Sequence, residues 1–159
     1  AEYLDTVGQK PLALMSKEGL ALLNGTQVMS AYGVSNLMKA RKLLKLANLL
    51  GAASVDAFDG RIEPFHPMVQ NVRRQNGQIH VANEVRQFLA GSELIIQEKK
   101  HIQDPYAFRC IPQVHGASHD TLNYMSEVLL AEISPDTGYP VNAAALHSLQ
   151  IIPIFGHET

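Results

Sequence analysis

Across residues 26–53 the apolar side chains Val28, Ala31, Tyr32, Leu37, Met38, Leu43, Leu44, Ala47, Leu50 and Ala53 return every three or four positions, with Lys39, Arg41, Lys42 and Lys45 between them. That period lays an apolar stripe along one helix face, and its length predicts one long amphipathic helix, with Gly33 and Gly51 as the points where it could be interrupted. A helix of this length cannot cover its own stripe. The chain therefore needs other long helices, or another chain, to pack against it.

The remaining pattern is also helical. Ser16 is an expected N-cap for a short helix over residues 17–23, with Glu18 favourably placed in its first turn and Asn24-Gly25 as its stop. Residues 1–16 read as a leading segment with at most a short strand or turn around 12–15. Asp59-Gly60 and residues 64–67 are loop signals. Two helices are expected over residues 68–74 and 78–89, separated by Asn76-Gly77. Residues 91–105 are mixed and polar, and a last long helix should run from after Pro112 to Ile133, with Val114, Ala117, Leu122, Met125, Val128, Leu129 and Ile133 as its apolar face. Ser134-Pro135-Asp136 should end it. No repeat or low-complexity tract is evident. The fold class is mainly α, a bundle of long helices.

Composition removes several functions. The 159 residues are 46% hydrophobic and 18% charged, enough to bury a core in one domain. A formal charge of −2 without any basic arm argues against nucleic acid as a partner. Apolar runs such as residues 20–23 and 143–146 are far below the roughly 20 residues needed to span a bilayer. Cys110 is the one cysteine, and the first ten residues lack the layout of an export signal, so a cytoplasmic location is expected. No Lys or Arg follows Arg109, whereas Asp120, Glu127, Glu132, Asp136 and Glu158 do. A cation-free stretch makes a poor solvated surface, which points to packing against another chain or another part of a larger one.

Few residues suggest chemistry. His115 and His119 share a helix face four residues apart and could share a metal, but no further ligands stand at suitable spacing, and ordinary polar or interface histidines explain them better. His66, His80, His101, His147 and His157 show no ligand spacing. Cys110 reads as a buried small hydrophobe rather than a nucleophile. No glycine-rich phosphate loop is present. The densest segment is residues 103–113, which puts an amide (Gln103), a phenol (Tyr106) and a guanidinium (Arg109) within seven positions just before the last long helix. Arginine can clamp a carboxylate with two parallel hydrogen bonds, and tyrosine can serve as a base if its pKa is lowered. A capping tyrosine and a structural arginine are the plainer reading of the same residues.

The run KEGLALLNGTQ at residues 17–27 and QDPYAFRCIPQVHGA at residues 103–117 resemble the aromatic amino acid ammonia-lyases, and most closely their histidine ammonia-lyase branch. FDGRIEPFHP and GSELIIQEKKHIQDPY, between them, are similar too. The resemblance covers residues 1–133 and divides the chain into a partial lyase helical-bundle domain, 1–133, and a divergent segment, 134–159, in which Thr137 and Pro140 still align. It implies a helical bundle of the fumarase and aspartase kind, a homotetramer, and elimination of ammonia from L-histidine to give urocanate. The family's electrophile is a methylidene-imidazolone ring formed from the chain's own Ala-Ser-Gly. Carried onto this sequence, the resemblance places Asn24 beside that ring, Gln103 in holding the site together, Tyr106 in proton transfer and Arg109 on the substrate carboxylate. No Ala-Ser-Gly occurs among the 159 residues. The expectation is a fragment or derivative that keeps part of the substrate site but does not turn over alone. The alternative is a non-catalytic helical oligomerisation or binding module.

Overall fold

The computed structural model describes residues 2–133, and among them there is no β-strand. The helices are α1 (Glu2–Thr6), α2 (Glu18–Asn24), α3 (Gln27–Ala57), α4 (Pro67–Arg73), α5 (Asn76–Phe88), α6 (Tyr106–Arg109) and α7 (Ile111–Ile133), with a 3-10 turn at Glu63–Phe65. The expected stop at Ser134-Pro135-Asp136, the divergent segment 134–159, and His147 and His157 lie outside the described residues.

The long periodic stretch folds as one uninterrupted helix of 31 residues, about 46 Å at 1.5 Å per residue. Neither glycine breaks it, because both serve contacts with α7. A Cβ on Gly33 would stand 2.9 Å from Leu129 Cδ2, and one on Gly51 would stand 3.2 Å from Ile111 Cδ1. The core forms where α3, α5 and α7 converge, from Ala52, Val55, Phe65, Val81, Ala82, Val85, Leu89 and Ile111, with Ile62, Ile95 and Phe108 packed around it. Two buried glutamines tie α4 to α5: Gln78 Nε2 donates to Gln70 Oε1 at 2.7 Å, and Gln70 Nε2 to the Pro64 carbonyl at 2.5 Å. Buried amides of this kind are tolerated because they are bonded.

Several boundaries differ from the sequence reading. Ser16 does not cap α2: the capping position is Lys17, in the left-handed region at φ 70°, and the Glu18 carboxylate accepts the Met15 N–H at 2.6 Å instead. Gly25 ends α2 in extended rather than left-handed backbone. It must be glycine for space, since a Cβ there would lie 2.6 Å from the Ala21 carbonyl oxygen. Residues 12–15 form neither helix nor strand. The α4–α5 break falls at Arg74, left-handed at φ 55°, so Asn76-Gly77 lies inside the first turn of α5. The last helix begins one residue before Pro112, and a short helix, α6, precedes it. Its inward face is also displaced from the expected one. Gly116 and Ser126 are buried, whereas Val114, Met125 and Val128 are exposed.

Candidate active site

The segment singled out in the sequence is held by a small set of long-range bonds. Asp59 takes the left-handed conformation at φ 60°, and Gly60 turns the chain back so that its N–H reaches the Val55 carbonyl at 2.7 Å. This turn presents the Arg61 N–H to Asp104 Oδ2 at 2.7 Å. The other carboxylate oxygen, Oδ1, meets His101 Nε2 at 2.6 Å. Arg61 Nη2 donates to the His101 carbonyl, closing a ring of three residues around the loop. Lys99 secures the other side of the same loop, donating to Asp59 Oδ1 at 2.6 Å and to the Leu94 carbonyl at 2.7 Å. That bond is the main reason the Asp59 carboxyl is held below its ordinary range. Phe58 packs against Phe108 and, edge-on, against His101, with ring centroids 5.0 and 6.0 Å apart.

On this support stand three of the four predicted site residues. Gln103 is exposed and precedes buried Asp104. Tyr106 opens α6 and is 73% exposed. Arg109, half-buried at the end of α6, donates from Nε to the Asp104 carbonyl at 2.9 Å, and its guanidinium carbon lies 5.7 Å from the centre of the Tyr106 ring. Both Nη groups are left without a partner among the described residues, in the arrangement that a bidentate carboxylate requires. The Tyr106 phenol is not activated by this surrounding. The Cys110 sulfur holds it above its ordinary value, by hydrogen bonding first and charge second, and the opposing pull of Arg109 is weaker.

Asn24, the fourth residue, stands apart. It is exposed at the end of α2, its amide donates to the Leu20 carbonyl of its own helix at 3.3 Å, and it shares no hydrogen bond or ring contact with Gln103, Tyr106 or Arg109. No residue of α2 is buried.

A second polar cluster went unnoticed in the sequence. Where α3, α5 and α7 meet, a cavity of about 170 Å³ is lined by Arg41, Lys45, Asn48, His80, Glu84, His119 and Asn123 among others. The rings of His80 and His119 stack with centroids 4.2 Å apart. Asn48, buried, donates from Nδ2 to Glu84 Oε2 at 2.7 Å and faces His115 Nδ1 through Oδ1 at 2.8 Å. The i,i+4 pair His80–Glu84 at 3.6 Å raises the His80 pKa and lowers that of Glu84, while burial lowers both His115 and His119. The His115–His119 pair therefore serves packing and hydrogen bonding. No three His, Cys, Asp or Glu side chains converge as a metal set among the described residues. The legible signals were the spacings His80–Glu84 and Arg41–Lys45–Asn48; their convergence was not.

The profile of the aromatic amino acid lyase family matches residues 1–147. The chain belongs to that family. This chain is 42% identical to a histidine ammonia-lyase of Anaeromyxobacter dehalogenans, over 92% of its own length and 31% of the relative's. It is 43% identical to a histidine ammonia-lyase of Caldanaerobacter subterraneus, over 88% of its length and 28% of the relative's. Among solved structures it is similar to a tyrosine aminomutase from Streptomyces globisporus, with TM-score 0.73 and 30% identity over 81% of this chain and 29% of that one. An ergothionase from Treponema denticola gives TM-score 0.68 and 31% identity, over 81% and 26% of the two chains. The chain thus spans about a third of the length of the curated relatives it matches, and its fold is of the helical, fumarase-like class.

The family uses a prosthetic group derived from its own chain. Of the residues the resemblance assigns, only Asn24 would border such a ring; its amide keeps the carbonyl oxygen unbonded, and it stands apart from Tyr106 and Arg109. Among the described residues no helix is long and apolar enough to cross a membrane.

Proposed function

We propose that this chain supplies the carboxylate-binding side of the substrate site in an ammonia-lyase that converts L-histidine to urocanate. One observation carries the reading. Arg109 is tied back through Nε to a main-chain carbonyl, so its two Nη groups present a fixed fork to a ligand carboxylate. In this reading Tyr106 handles the proton, Gln103 holds the site together and Asn24 borders the prosthetic ring, whose chemistry is to take up the substrate amine as an electrophile. The raised phenol of Tyr106 supports the need for a partner, since a tyrosine held above its ordinary value is a poor base near neutral pH until a positive group approaches it. No Ala-Ser-Gly lies among the 159 residues, so the chain by itself should bind but not react. We place it in the cytoplasm as a homo-oligomer, a tetramer on the family pattern. A purely non-catalytic assembly role is the second reading, favoured by the apolar side chains exposed along α3 and α7.

The test is calorimetric titration of the chain with urocanate and with L-histidine, beside Arg109→Met. Binding that disappears in the variant, with no urocanate appearing from histidine, is the expected result. Equal binding by the variant removes Arg109 from the site, and urocanate formed at an enzymatic rate by the chain alone overturns the predicted inactivity.

A further inference from the structure

We propose that Asp104 is the positioning residue for Arg109: its buried carboxylate pins the loop so that its own main-chain carbonyl aims the guanidinium at the substrate carboxylate. The inference rests on the reading of Arg109 given above and deepens it.

Asp104 is 3% exposed, and a carboxylate is rarely buried to this degree unless both oxygens are satisfied. They are satisfied from two separate places in the chain. Oδ2 takes the Arg61 N–H from the Asp59-Gly60 turn, and Oδ1 takes His101 Nε2 from within the loop. Hydrogen bonds to an ionised acceptor are short and strong, and both lie at 2.6–2.7 Å. The stretch from Gly91 to Pro105 has no regular secondary structure of its own, so these bonds set where the loop sits on α3.

The consequence for Arg109 runs through few atoms. The carbonyl oxygen that accepts Arg109 Nε belongs to Asp104 itself, so only the Cβ–Cγ, Cα–Cβ and Cα–C bonds of that residue separate it from the pinned carboxylate. The next residue is Pro105, whose ring limits φ, here −51°, and which caps α6. The carbonyl therefore has little freedom to swing. A guanidinium bonded through Nε to a fixed acceptor can turn only about that bond, and its Nη fork is presented in one direction. Without the carboxylate the loop would slide, the carbonyl would follow, and Arg109 would keep its charge but lose its aim.

The experiment uses the full chain and urocanate as the probe. The Arg109 Nε–H resonance, identified by its loss in Arg109→Lys, reports the bond to the Asp104 carbonyl through slow exchange with solvent. At a half-buried side chain exchange runs through local opening, so the same stability loss from a variant distant from the loop, such as Gly116→Ala, should leave that signal in place. Asp104→Ala, folded by circular dichroism, is expected to lose the protected signal and to bind urocanate about tenfold more weakly. A folded Asp104→Ala that keeps either the protected signal or wild-type affinity overturns the proposal. Should Asp104→Ala not fold, His101→Phe decides. It keeps a ring against Phe58 and removes one donor to the carboxylate, so the same two losses are expected, and retention of both signal and affinity is the overturning result. If the wild-type chain does not bind urocanate, the function proposed above fails, while the Nε–H signal still shows whether Asp104 aims Arg109.

Discussion

Asn48 shows how much one buried side chain can settle. Because its Nδ2 donates to Glu84, its Oδ1 is left as the acceptor, and His115 must carry its proton on Nδ1. Asn48→Ala removes both bonds, leaves the Glu84 carboxylate to His80 alone, strands the His115 imidazole, and opens a small cavity. Chemical denaturation should show a loss of roughly 2–4 kcal/mol, and a loss below about 1 kcal/mol would mean that water replaces the amide. The stacked histidines beside it give the molecule a pH dependence with opposing parts. His80 has a raised pKa, so its contribution is complete below the unfolded value of 6.5 and fades as pH rises through the folded value. Glu84 is lowered, and its contribution is lost only on acidification below its ordinary 4.5. His115 and His119 are lowered by burial, so they stabilise above 6.5 and cost stability as pH falls through their folded values. As pH falls from about 7 to about 5, protonation of His115 and His119 therefore works against the fold and protonation of His80 works for it. His119→Phe keeps a ring on His80 but cannot be protonated, so its melting temperature should drop less than the wild type's over that interval. An equal drop in the variant would show that His119 does not titrate in the folded chain.

At the scale of elements, α5 and α7 cross with their backbones in contact. A Cβ on Gly116 would lie 2.5 Å from the Gln78 nitrogen, and one on Gly77 would lie 2.1 Å from the Gly116 carbonyl oxygen. Main chain cannot give way as a side-chain tip can, so Gly116→Ala should push the helices apart at about 3 kcal/mol or more. Gly33→Ala meets only the end of Leu129 and gains helix propensity, and should fall within about 1 kcal/mol of neutral. Equal melting temperatures for the two variants would refute this account of the crossing. The same glycines explain what the sequence hid. The helices themselves were readable because a three- and four-residue period survives in any helix with one covered side. Gly77 looked like punctuation because glycine breaks helices in isolation, and nothing local shows that a second glycine, far along the chain, needs it inside one. The face of α7 was misread in part for a related reason: beside Ile111 and the half-buried Leu122, Leu129 and Ile133, its inward side carries small or polar residues at Gly116, His119 and Ser126, while Val114, Met125 and Val128 point outward. Around the site, the segment from Gln103 to Arg109 was visible as a dense polar run. Its anchors, Arg61 and His101, were not, because the pairing of Asp104 with Arg61 joins residues 43 positions apart.

For the whole molecule, the unresolved balance is between apolar surface and charge. Along α3, Leu43, Leu46 and Leu50 are 65%, 49% and 57% exposed and follow a three- and four-residue step, so they form a second apolar stripe facing away from α5 and α7. On α7, Val114, Met125 and Val128 are similarly open, and that helix contains no Lys or Arg. Large aliphatic side chains held in water by the monomer gain free energy by burial against another copy, at about 25 cal/mol for each Å² covered, and on α7 no cation stands in the way. Self-association is therefore the expected state in solution, in keeping with the homo-oligomer proposed above. Replacing Leu43 by Glu and Leu50 by Lys puts charges on the α3 stripe without touching Leu37, Ala52 or Val55 in the core, and the opposite signs leave net charge unchanged. Sedimentation equilibrium across a dilution series should show the double variant shifted towards monomer, with helical content retained. A wild-type chain that is monomeric throughout, or a variant that associates as strongly as the wild type, would show that this stripe is left to water.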